Sequence, residues 1–244
     1  MKNFDVIVVG GGHAGVEAAM AAARIGVKTA LITHNIETIG EMSCNPAIGG
    51  VGKGHLVREI DSLDGIMAKA ADYSGIQFRV LNKSRGPAVH GPRCQVDRFI
   101  YRNFIQQMVL KQKNLKVITA VVDSLIIKSY KCAGVVLADG QSIKAYKVIL
   151  ATGTFLNGKI HVGGKSARGG RVNEKSSRNL AQSLYNLQLP IRRLKTGTPP
   201  RLNGSTIDWK ILEKQPGDID PEMMSFLNSK TTQRQLNCHV TWTN

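Results

Sequence analysis

The N-terminal segment has an apolar run, an alanine-rich stretch and a second apolar run, and this pattern predicts a βαβ unit. Phe4–Val9 is rich in β-branched residues, as in a strand buried on both faces of a parallel sheet. The alanine-rich stretch contains strong helix formers and ends at Gly26, which favours a helix stop there. Lys28–Thr33 is the second predicted strand.

The middle of the chain predicts shorter and less regular elements. Residues 34–54 are rich in turn formers, and residues 55–70 predict one amphipathic helix. The apolar face of that helix consists of Leu56, Ile60, Leu63 and Met67. Gly75–Asn82 predicts a strand. Residues 84–93 contain two Gly-Pro steps and predict an irregular segment.

The second half predicts a helix, a β-meander and another helix. Asp97–Lys113 has apolar residues at i, i+3, i+4 and i+7. These residues are Tyr101, Phe104, Ile105 and Met108. Alternating segments follow with a hairpin turn at Ala138–Gly140, and Lys147–Thr152 predicts one more buried strand. A helix is predicted over Ser176–Leu187, and the loop Lys195–Gly204 is a candidate boundary.

The turn between the first strand and the first helix has the pattern Gly10-x-Gly12-x-x-Gly15. In a dinucleotide-binding βαβ unit the first glycine permits a tight turn and the second lets a pyrophosphate approach the backbone. The third glycine lets the helix pack against the strand. The helix N-terminus then offers N–H groups to the phosphates. The context of the motif therefore predicts dinucleotide binding, rather than a glycine turn needed for packing alone.

The acid that usually ends the second strand of such a unit is missing. The chain has Thr33, His34 and Asn35 at this place, and Glu37 is the nearest acid. Ribose recognition must therefore use another group, or Glu37 must reach back. FAD fits better than NAD, because a long excursion and a meander precede the "ATG" strand end at Ala151–Gly153. This is the plan of the glutathione-reductase-like flavoproteins.

A second glycine-rich loop, "SCNPAIGGVGKG", occupies residues 43–54. It does not match a phosphate-binding P-loop, because its Gly-Lys pair is followed by Gly54 and Ala47 stands where the first glycine belongs. The glycines favour a loop that lies along a large flat ligand. Cys44 is either a buried small hydrophobe or a thiol beside a flavin, with Lys53 nearby to stabilise a thiolate.

The formal charge of +16, from 33 basic and 17 acidic residues, favours a polyanionic partner such as nucleic acid. The alternatives are a charge kept for solubility, or the basic part of a longer chain whose remainder is more acidic. Between Lys159 and Arg201 there are ten Lys and Arg residues and one acid, Glu174. This basic tract is either a face for phosphates or a solvated surface.

The four cysteines are far apart in the sequence and include no CxxC pair. They predict neither a disulfide framework nor a zinc site, so we expect no metal. No secretory signal is evident, and no apolar run reaches the ~18 residues of a transmembrane helix. We therefore expect a cytoplasmic protein without a membrane association.

Several motifs together resemble the N-terminal part of the GidA/MnmG family. The motifs, as they stand in this sequence, are "GGGHAGVEAA", "ITHN", "GEMSCNPAIGGVGKGHLVREIDSLDGIM", "GIQFRVLN", "RGPAVHGPR", "ATGTFLNGKIHVG" and "RLKTGTPPR". The resemblance covers essentially the whole chain, and "MSCNPAIGG" is far more specific than the first glycine motif. It implies a glutathione-reductase-like FAD-binding Rossmann domain of the α/β class with an inserted β-meander.

The resemblance also implies an activity. The family installs carboxymethylaminomethyl groups at C5 of the wobble uridine of tRNA, using FAD, NADH and methylene-tetrahydrofolate. It acts as a homodimer with the GTPase MnmE. The implied FAD-binding positions are Gly10, Gly11, Gly12, His13, Ala14, Gly15, Val122 and Ser177. Cys44 matches one of two cysteines needed for activity, and either of them is a candidate for attack at C6 of uridine.

The chain also departs from the family pattern. The family chain is more than twice as long, and its second cysteine, in a "YCPS" motif, is absent here. We expect residues 1–200 to form an FAD-binding domain that is incomplete at its C-terminus, and residues 201–244 to begin an inserted NADH-binding domain. Two alternatives remain: a non-catalytic FAD- or tRNA-binding remnant, and the folate- and FAD-dependent tRNA uridine methyltransferases. The latter family lacks the "SCNPAIGG" block.

Overall fold

A computed structural model describes residues 3–242 of the chain. The chain divides into two compact units. Residues 3–43 and 106–195 form the first unit, and residues 44–105 and 196–242 form the second.

The strands and helices of residues 3–242 are numbered along the chain. The strands are β1 (Asn3–Val9), β2 (Thr29–Thr33), β3 (Ala47–Gly49), β4 (Gly75–Leu81), β5 (Gly91–Val96), β6 (Leu115–Thr119), β7 (Val122–Lys128), β8 (Lys131–Leu137), β9 (Ser142–Leu150), β10 (Lys159–Val162), β11 (Lys165–Arg168), β12 (Glu213–Gln215) and β13 (Cys238–Val240). The helices are α1 (His13–Arg24), α2 (Lys53–Ser62), α3 (Met67–Ser74), α4 (Arg98–Lys111) and α5 (Arg178–Asn186). Short 3₁₀ turns occupy Ile36–Thr38, Pro87–Val89 and Gly204–Thr206.

The first unit is built on a six-stranded sheet with the order β6-β2-β1-β9-β8-β7. The strands β6, β2, β1 and β9 are parallel, whereas β9, β8 and β7 form an antiparallel meander. In this register Val6 lies between Thr29 and Lys147. The predicted α/β class, with a Rossmann-like unit and an inserted meander, is confirmed.

Apolar residues on the two faces of this sheet explain its stability. One face forms a core with the meander and α5, and the other packs against α1. The first core consists of Phe4, Ile7, Val9, Ala30, Ile32, Val122, Val135, Leu137, Ile143, Ala145 and Leu180. The buried side chains of α1 are small apart from Val16 and Met20, so this helix can approach the strands closely. Burial of these apolar surfaces stabilises the unit.

The meander and the last buried strand were predicted as separate elements, and this was wrong. They share β9, which is continuous over nine residues. Its first residues pair with β8, and Lys144 to Leu150 also pair with β1. The predicted burial of Lys147–Thr152 is also incomplete, because Ile149 is 39% exposed.

The second unit contains a three-stranded antiparallel sheet with the order β3-β5-β4, and a separate pair of strands, β12 and β13. On one face of the sheet Ile48, Cys94 and Phe78 form a buried row across the three strands. The thiol of Cys94 donates to the carbonyl of Ala71 in α3 at 3.4 Å. Burial raises the pKa of the Cys94 thiol far above its usual value.

The single helix predicted over residues 55–70 is wrong, because the structure has α2 and α3 instead. Asp64 adopts a positive φ of 65° between them, a conformation that a continuous α-helix does not allow. Leu56 and Leu63 are 58% and 78% exposed, whereas Val57 and Asp61 are buried. The inward face of α2 is therefore shifted by one residue from the predicted face.

Three irregular segments contain more structure than predicted. Residues 34–54 include β3, residues 84–93 include the start of β5, and the basic tract forms the β10–β11 hairpin. The predicted helices at Asp97–Lys113 and Ser176–Leu187 correspond to α4 and α5. None of the helices within residues 3–242 combines the length and apolar character needed to cross a lipid bilayer.

Candidate nucleotide-binding cleft

A cleft of about 220 Å³ opens in the first unit at the carboxyl ends of its parallel strands. The backbone segments at these ends are Gly10–His13, Thr33–His34, Ala120 and Ala151–Phe155. The chain crosses from β1 to β2 on one side, and β9 lies on the other side of β1. Ligands of open α/β sheets bind at such a switch point. The fold therefore places the first glycine loop at the expected ligand position.

The first and third glycines of this loop are required by packing. Gly10 has a φ of +112°, and a Cβ atom there would lie 2.3 Å from the carbonyl oxygen of Ala151. A Cβ atom at Gly15 would lie 1.8 Å from the carbonyl oxygen of Gly10. These distances are shorter than a van der Waals contact, so the β1–α1 turn and the adjacent β9 can only meet with glycine at both positions.

Gly12 has a different environment from the other two glycines. Its φ of −75° is open to any residue, and a Cβ atom there would meet nothing within 4 Å. Gly12 lines the cleft and is the N-cap of α1, whose first turn follows at His13. The first turn of an α-helix has N–H groups without intrahelical partners. This cradle, which a side chain would fill, fits the pyrophosphate of a dinucleotide.

Of the two acids that closely follow β2, Glu41 lines the cleft, whereas Glu37, one of the two alternatives for ribose recognition, does not. Glu41 and Thr38 line the cleft. The carbonyl oxygen of Glu37 accepts a 2.8 Å hydrogen bond from the Gln106 side chain, and the Glu37 carboxylate is not part of the lining. The Gly40 N–H donates to the carbonyl of Gly11 at 2.9 Å and so ties this segment to the glycine loop. No spacing rule in the sequence singled out Glu41.

Val122 and Ser177 come from distant parts of the chain and both line the cleft. Val122 is the first residue of β7, and Ser177 precedes α5. The Ser177 N–H donates to the carbonyl of Phe155 at 2.8 Å, and the Asn157 N–H donates to the carbonyl of Ser177 at 3.1 Å. The structure thus brings these two residues together with Gly10, Gly11, Gly12 and His13, whereas Ala14 and Gly15 are not part of the lining.

An ion pair that the sequence did not reveal forms another part of the cleft wall. Arg171 and Glu174 make a two-point pair, with nitrogen–oxygen distances of 2.8 and 3.1 Å. The Arg171 guanidinium lies 5.3 Å from the ring centre of Phe155. Phe155 also meets His34 edge to face. Partial burial lowers the pKa of His34; Glu174 opposes this shift and Arg171 adds to it.

Cys44 belongs to the second unit, and it directly follows Ser43, which lines the cleft. The hydroxyl of Thr198 donates to Cys44 Sγ at 3.8 Å. Lys53 Nζ donates to the carbonyl of Ala47 at 3.0 Å. Partial burial lowers the pKa of Lys53, and the charge of Cys44 opposes this shift. Stabilisation of a Cys44 thiolate by Lys53 stays a prediction.

The second glycine loop is a packed strand and turn rather than an open loop. Ile48 pairs with Cys94. Cβ atoms at Gly49 and Gly54 would lie 2.1 and 2.5 Å from the carbonyl oxygen of Pro92. Close packing on β5 accounts for these two glycines, so approach to a flat ligand is not needed to explain them.

Comparisons with known proteins agree with this architecture. The family described as "Glucose inhibited division protein A" (GidA) matches residues 5–244. Two crystal forms of GidA from Aquifex aeolicus share 46% sequence identity with the chain, each with a TM-score of 0.92. They cover 97% and 98% of the chain, which spans 40% and 41% of theirs.

A more distant structure shares the fold alone. The GidA-related protein from Thermus thermophilus is 20% identical, with a TM-score of 0.56. The match covers 75% of this chain and 68% of that one. The match over residues 5–244 and the 46% identity to the Aquifex aeolicus protein decide the assignment. The chain belongs to the GidA family, and its first unit has the FAD-binding fold of that family.

Proposed function

We propose that the chain acts in FAD-dependent tRNA modification, adding a carboxymethylaminomethyl group at C5 of the wobble uridine. The full activity would use NADH and methylene-tetrahydrofolate, with the MnmE GTPase as partner and a homodimer as the assembly. The observation that carries the proposal is the cleft of the first unit. In this member of the GidA family, the cleft combines the open cradle at Gly12 with Val122 and Ser177. We also propose that residues 1–200 form an incomplete FAD-binding domain and that residues 201–244 begin an inserted NADH-binding domain.

The residues of the cleft have separate roles in holding FAD. The first turn of α1, at Gly12 and His13, would receive the pyrophosphate. Glu41 would accept hydrogen bonds from the ribose hydroxyls, the role that the missing acid at the end of β2 usually has. Val122 and Ser177 would flank the cofactor. When bound, FAD supplies two-electron transfer between NADH and the one-carbon unit.

Cys44 is the proposed nucleophile in the second unit. Its thiolate would add to C6 of uridine, forming an S–C6 bond while the C5–C6 π electrons shift toward the C4 carbonyl and make C5 nucleophilic. The link to Lys53 supports this role, because a nearby ammonium stabilises a thiolate. Thr198 donates to the same sulfur and orients it.

A cofactor titration tests the first part of the proposal. FAD added to the purified chain should bind, with quenching of flavin fluorescence. Gly12→Leu should weaken binding by at least about 100-fold, since its side chain would fill the cradle, a loss equivalent to about 2.7 kcal/mol. The matched control is Gly164→Leu in the β10–β11 turn, where a Cβ atom also meets nothing within 4 Å. Equal binding by both variants would remove the cleft from the proposal.

A modification assay then separates catalysis from binding. The chain is mixed with FAD, NADH, methylene-tetrahydrofolate, glycine or ammonia, MnmE and unmodified tRNA, and the nucleosides are analysed by mass spectrometry. The modified uridine should form when the chain is extended through the second cysteine of the family, and it should be absent when that protein carries Cys44→Ala. FAD binding by the 244-residue chain without any modified nucleoside would instead favour the non-catalytic FAD- or tRNA-binding alternative.

A further inference from the structure

Two arginines stand directly opposite each other on the sheet of the second unit. In the antiparallel register of β4 and β5, Arg79 pairs with Arg93, and β3 places Gly49 beside Arg93. Both arginine side chains are half-buried. Like charges opposite each other on neighbouring strands are destabilising. The pair therefore costs stability to the chain unless an anion lies between the two groups.

The neighbouring acid, Asp218, offsets the charge of this pair only in part, because Asp218 is shared with Lys83. Within residues 3–242, neither the Arg79 nor the Arg93 side chain makes an ion pair or a hydrogen bond. Asp218 forms a 2.8 Å ion pair with Lys83 and accepts the Val80 N–H at 2.8 Å. Partial burial acts to raise the pKa of Asp218. The hydrogen bonds from Lys83 and Val80, with the charges of Lys83 and Arg79, lower it overall.

The residues around the pair leave the positive charge in place. Gln77 lies two residues before Arg79 on β4, and its side chain is held by the carbonyl of Gln215 at 2.7 Å and the thiol of Cys238 at 3.1 Å. Burial raises the pKa of Cys238, while Arg93 and Arg79 act to lower it. The thiol is therefore neutral near pH 7 and supplies no counter-charge.

We propose that Arg79 and Arg93 bind a phosphate group of a nucleotide or nucleic acid. Guanidinium groups offer paired N–H donors that match phosphate oxygens, and the negative charge converts the repulsion between the arginines into attraction. Arg85, which is exposed in the following loop, adds positive potential. This site is in the second unit and does not depend on the FAD cleft.

A phosphate titration tests the proposal. Inorganic phosphate is added to the 244-residue chain at constant ionic strength, balanced with chloride, and binding is followed by ³¹P line broadening. Saturable binding should weaken at least about tenfold in Arg79→Gln and in Arg93→Gln, because each change removes a charge-assisted hydrogen bond. Arg192→Gln removes the same charge from an exposed position of the first unit and should bind as the wild type does. Phosphate bound at the α1 N-terminus would persist in all three variants.

A second measurement separates a binding role from a structural one. In chloride alone, Arg93→Gln should melt no lower than the wild type, because the repulsion is gone. Phosphate should raise the melting temperature of the wild type more than that of the variant. If a glutamine variant does not fold, Arg79→Lys and Arg93→Lys can replace it. These variants keep the positive charge but lose the paired N–H donors of the guanidinium group. They should therefore weaken phosphate binding less than a loss of the charge would.

Competitors identify the source of the phosphate. Displacement of inorganic phosphate by AMP assigns the group to a nucleotide, and displacement by a single-stranded RNA oligonucleotide but not by AMP assigns it to a nucleic-acid backbone. If neither AMP nor the RNA oligonucleotide displaces inorganic phosphate, the site does not bind the phosphate of a nucleotide or a nucleic acid. A wild type without saturable binding, or arginine variants that bind as Arg192→Gln does, would overturn the site itself.

Discussion

The two glycine-rich loops of this chain have similar compositions and different surroundings. The first joins β1 to α1, and Gly12 at its centre faces an open cleft. The second leads from β3 into α2, where Gly49 and Gly54 lie against the carbonyl oxygen of Pro92. Only the first loop therefore combines packed glycines with an open glycine that lines a cavity.

This difference shows that a run of glycines does not by itself indicate a ligand. Glycine is required wherever two backbones approach closely, and a ligand is only one of the surfaces that can approach. In the first loop Gly10 and Gly15 serve packing, and this packing holds Gly12 at the mouth of the cleft. In the second loop the functional candidates are Cys44 and Lys53, which are not glycines. The same substitution, made at corresponding glycines of the two loops, can test this difference.

The largest expected effect comes from adding a methyl group at the packed glycines. Gly15→Ala would place a Cβ atom 1.8 Å from the Gly10 carbonyl oxygen. Gly54→Ala would place one 2.5 Å from the Pro92 carbonyl oxygen. Both contacts are with backbone atoms, which cannot move aside without a cost in free energy. We expect Gly15→Ala to lower the free energy of unfolding by about 3 kcal/mol. The melting temperature, followed by circular dichroism, should fall by roughly 6–12 °C, and less for Gly54→Ala.

The control for both changes is Gly164→Ala, because its Cβ atom meets nothing within 4 Å. This variant should melt within about 2 °C of the wild type, as expected for an exposed substitution. If Gly15→Ala has the same melting temperature as Gly164→Ala, the close packing of α1 on the turn after β1 would be contradicted.

The fold was predictable where local composition and tertiary environment agree. The apolar run of β1 and the alanines of α1 specify a strand and a helix whose buried faces match the sheet. The strand β9 was divided wrongly, because its residues before Lys147 are mixed in polarity and its partners change along its length. The helix over residues 55–70 was extended across Asp64, although the Asp-Gly step there is a turn signal.

Local patterns in the sequence predicted only the backbone part of the candidate site, whereas Val122 and Ser177 followed from the family resemblance. The spacing of the glycine motif identified Gly12, because that spacing follows from local geometry. Glu41, Arg171 and Glu174 reach the cleft through tertiary folding, and no local pattern marks them. The basic tract predicted a charged face, whereas Arg171 pairs with Glu174, the single acid of the tract.

A smaller effect distinguishes the two helix-capping glycines. Gly52 and Gly12 each precede a helix and have open space at the Cβ position. The φ of Gly52 is +78°, and that of Gly12 is −75°. Gly52→Ala should therefore cost about 2 kcal/mol of strain, and Gly12→Ala should cost little. The midpoints of urea unfolding check this, and equal losses would show that the first loop is as constrained as the second.

The smallest expected effect concerns the reactivity of Cys44, the cysteine of the second glycine-rich loop. Burial lowers the pKa of Lys53, and the charge of Cys44 acts to raise it. Because Lys53 is partly exposed, solvent screens this attraction, and Lys53→Met should slow alkylation of Cys44 by iodoacetamide about two- to fivefold. Mass spectrometry of the modified peptides measures the rate, with Cys132 of the first unit as an internal reference. High salt should reduce the difference between variant and wild type. Equal slowing at Cys132, or no change at Cys44, would mean that Lys53 serves only to hold the Ala47 carbonyl.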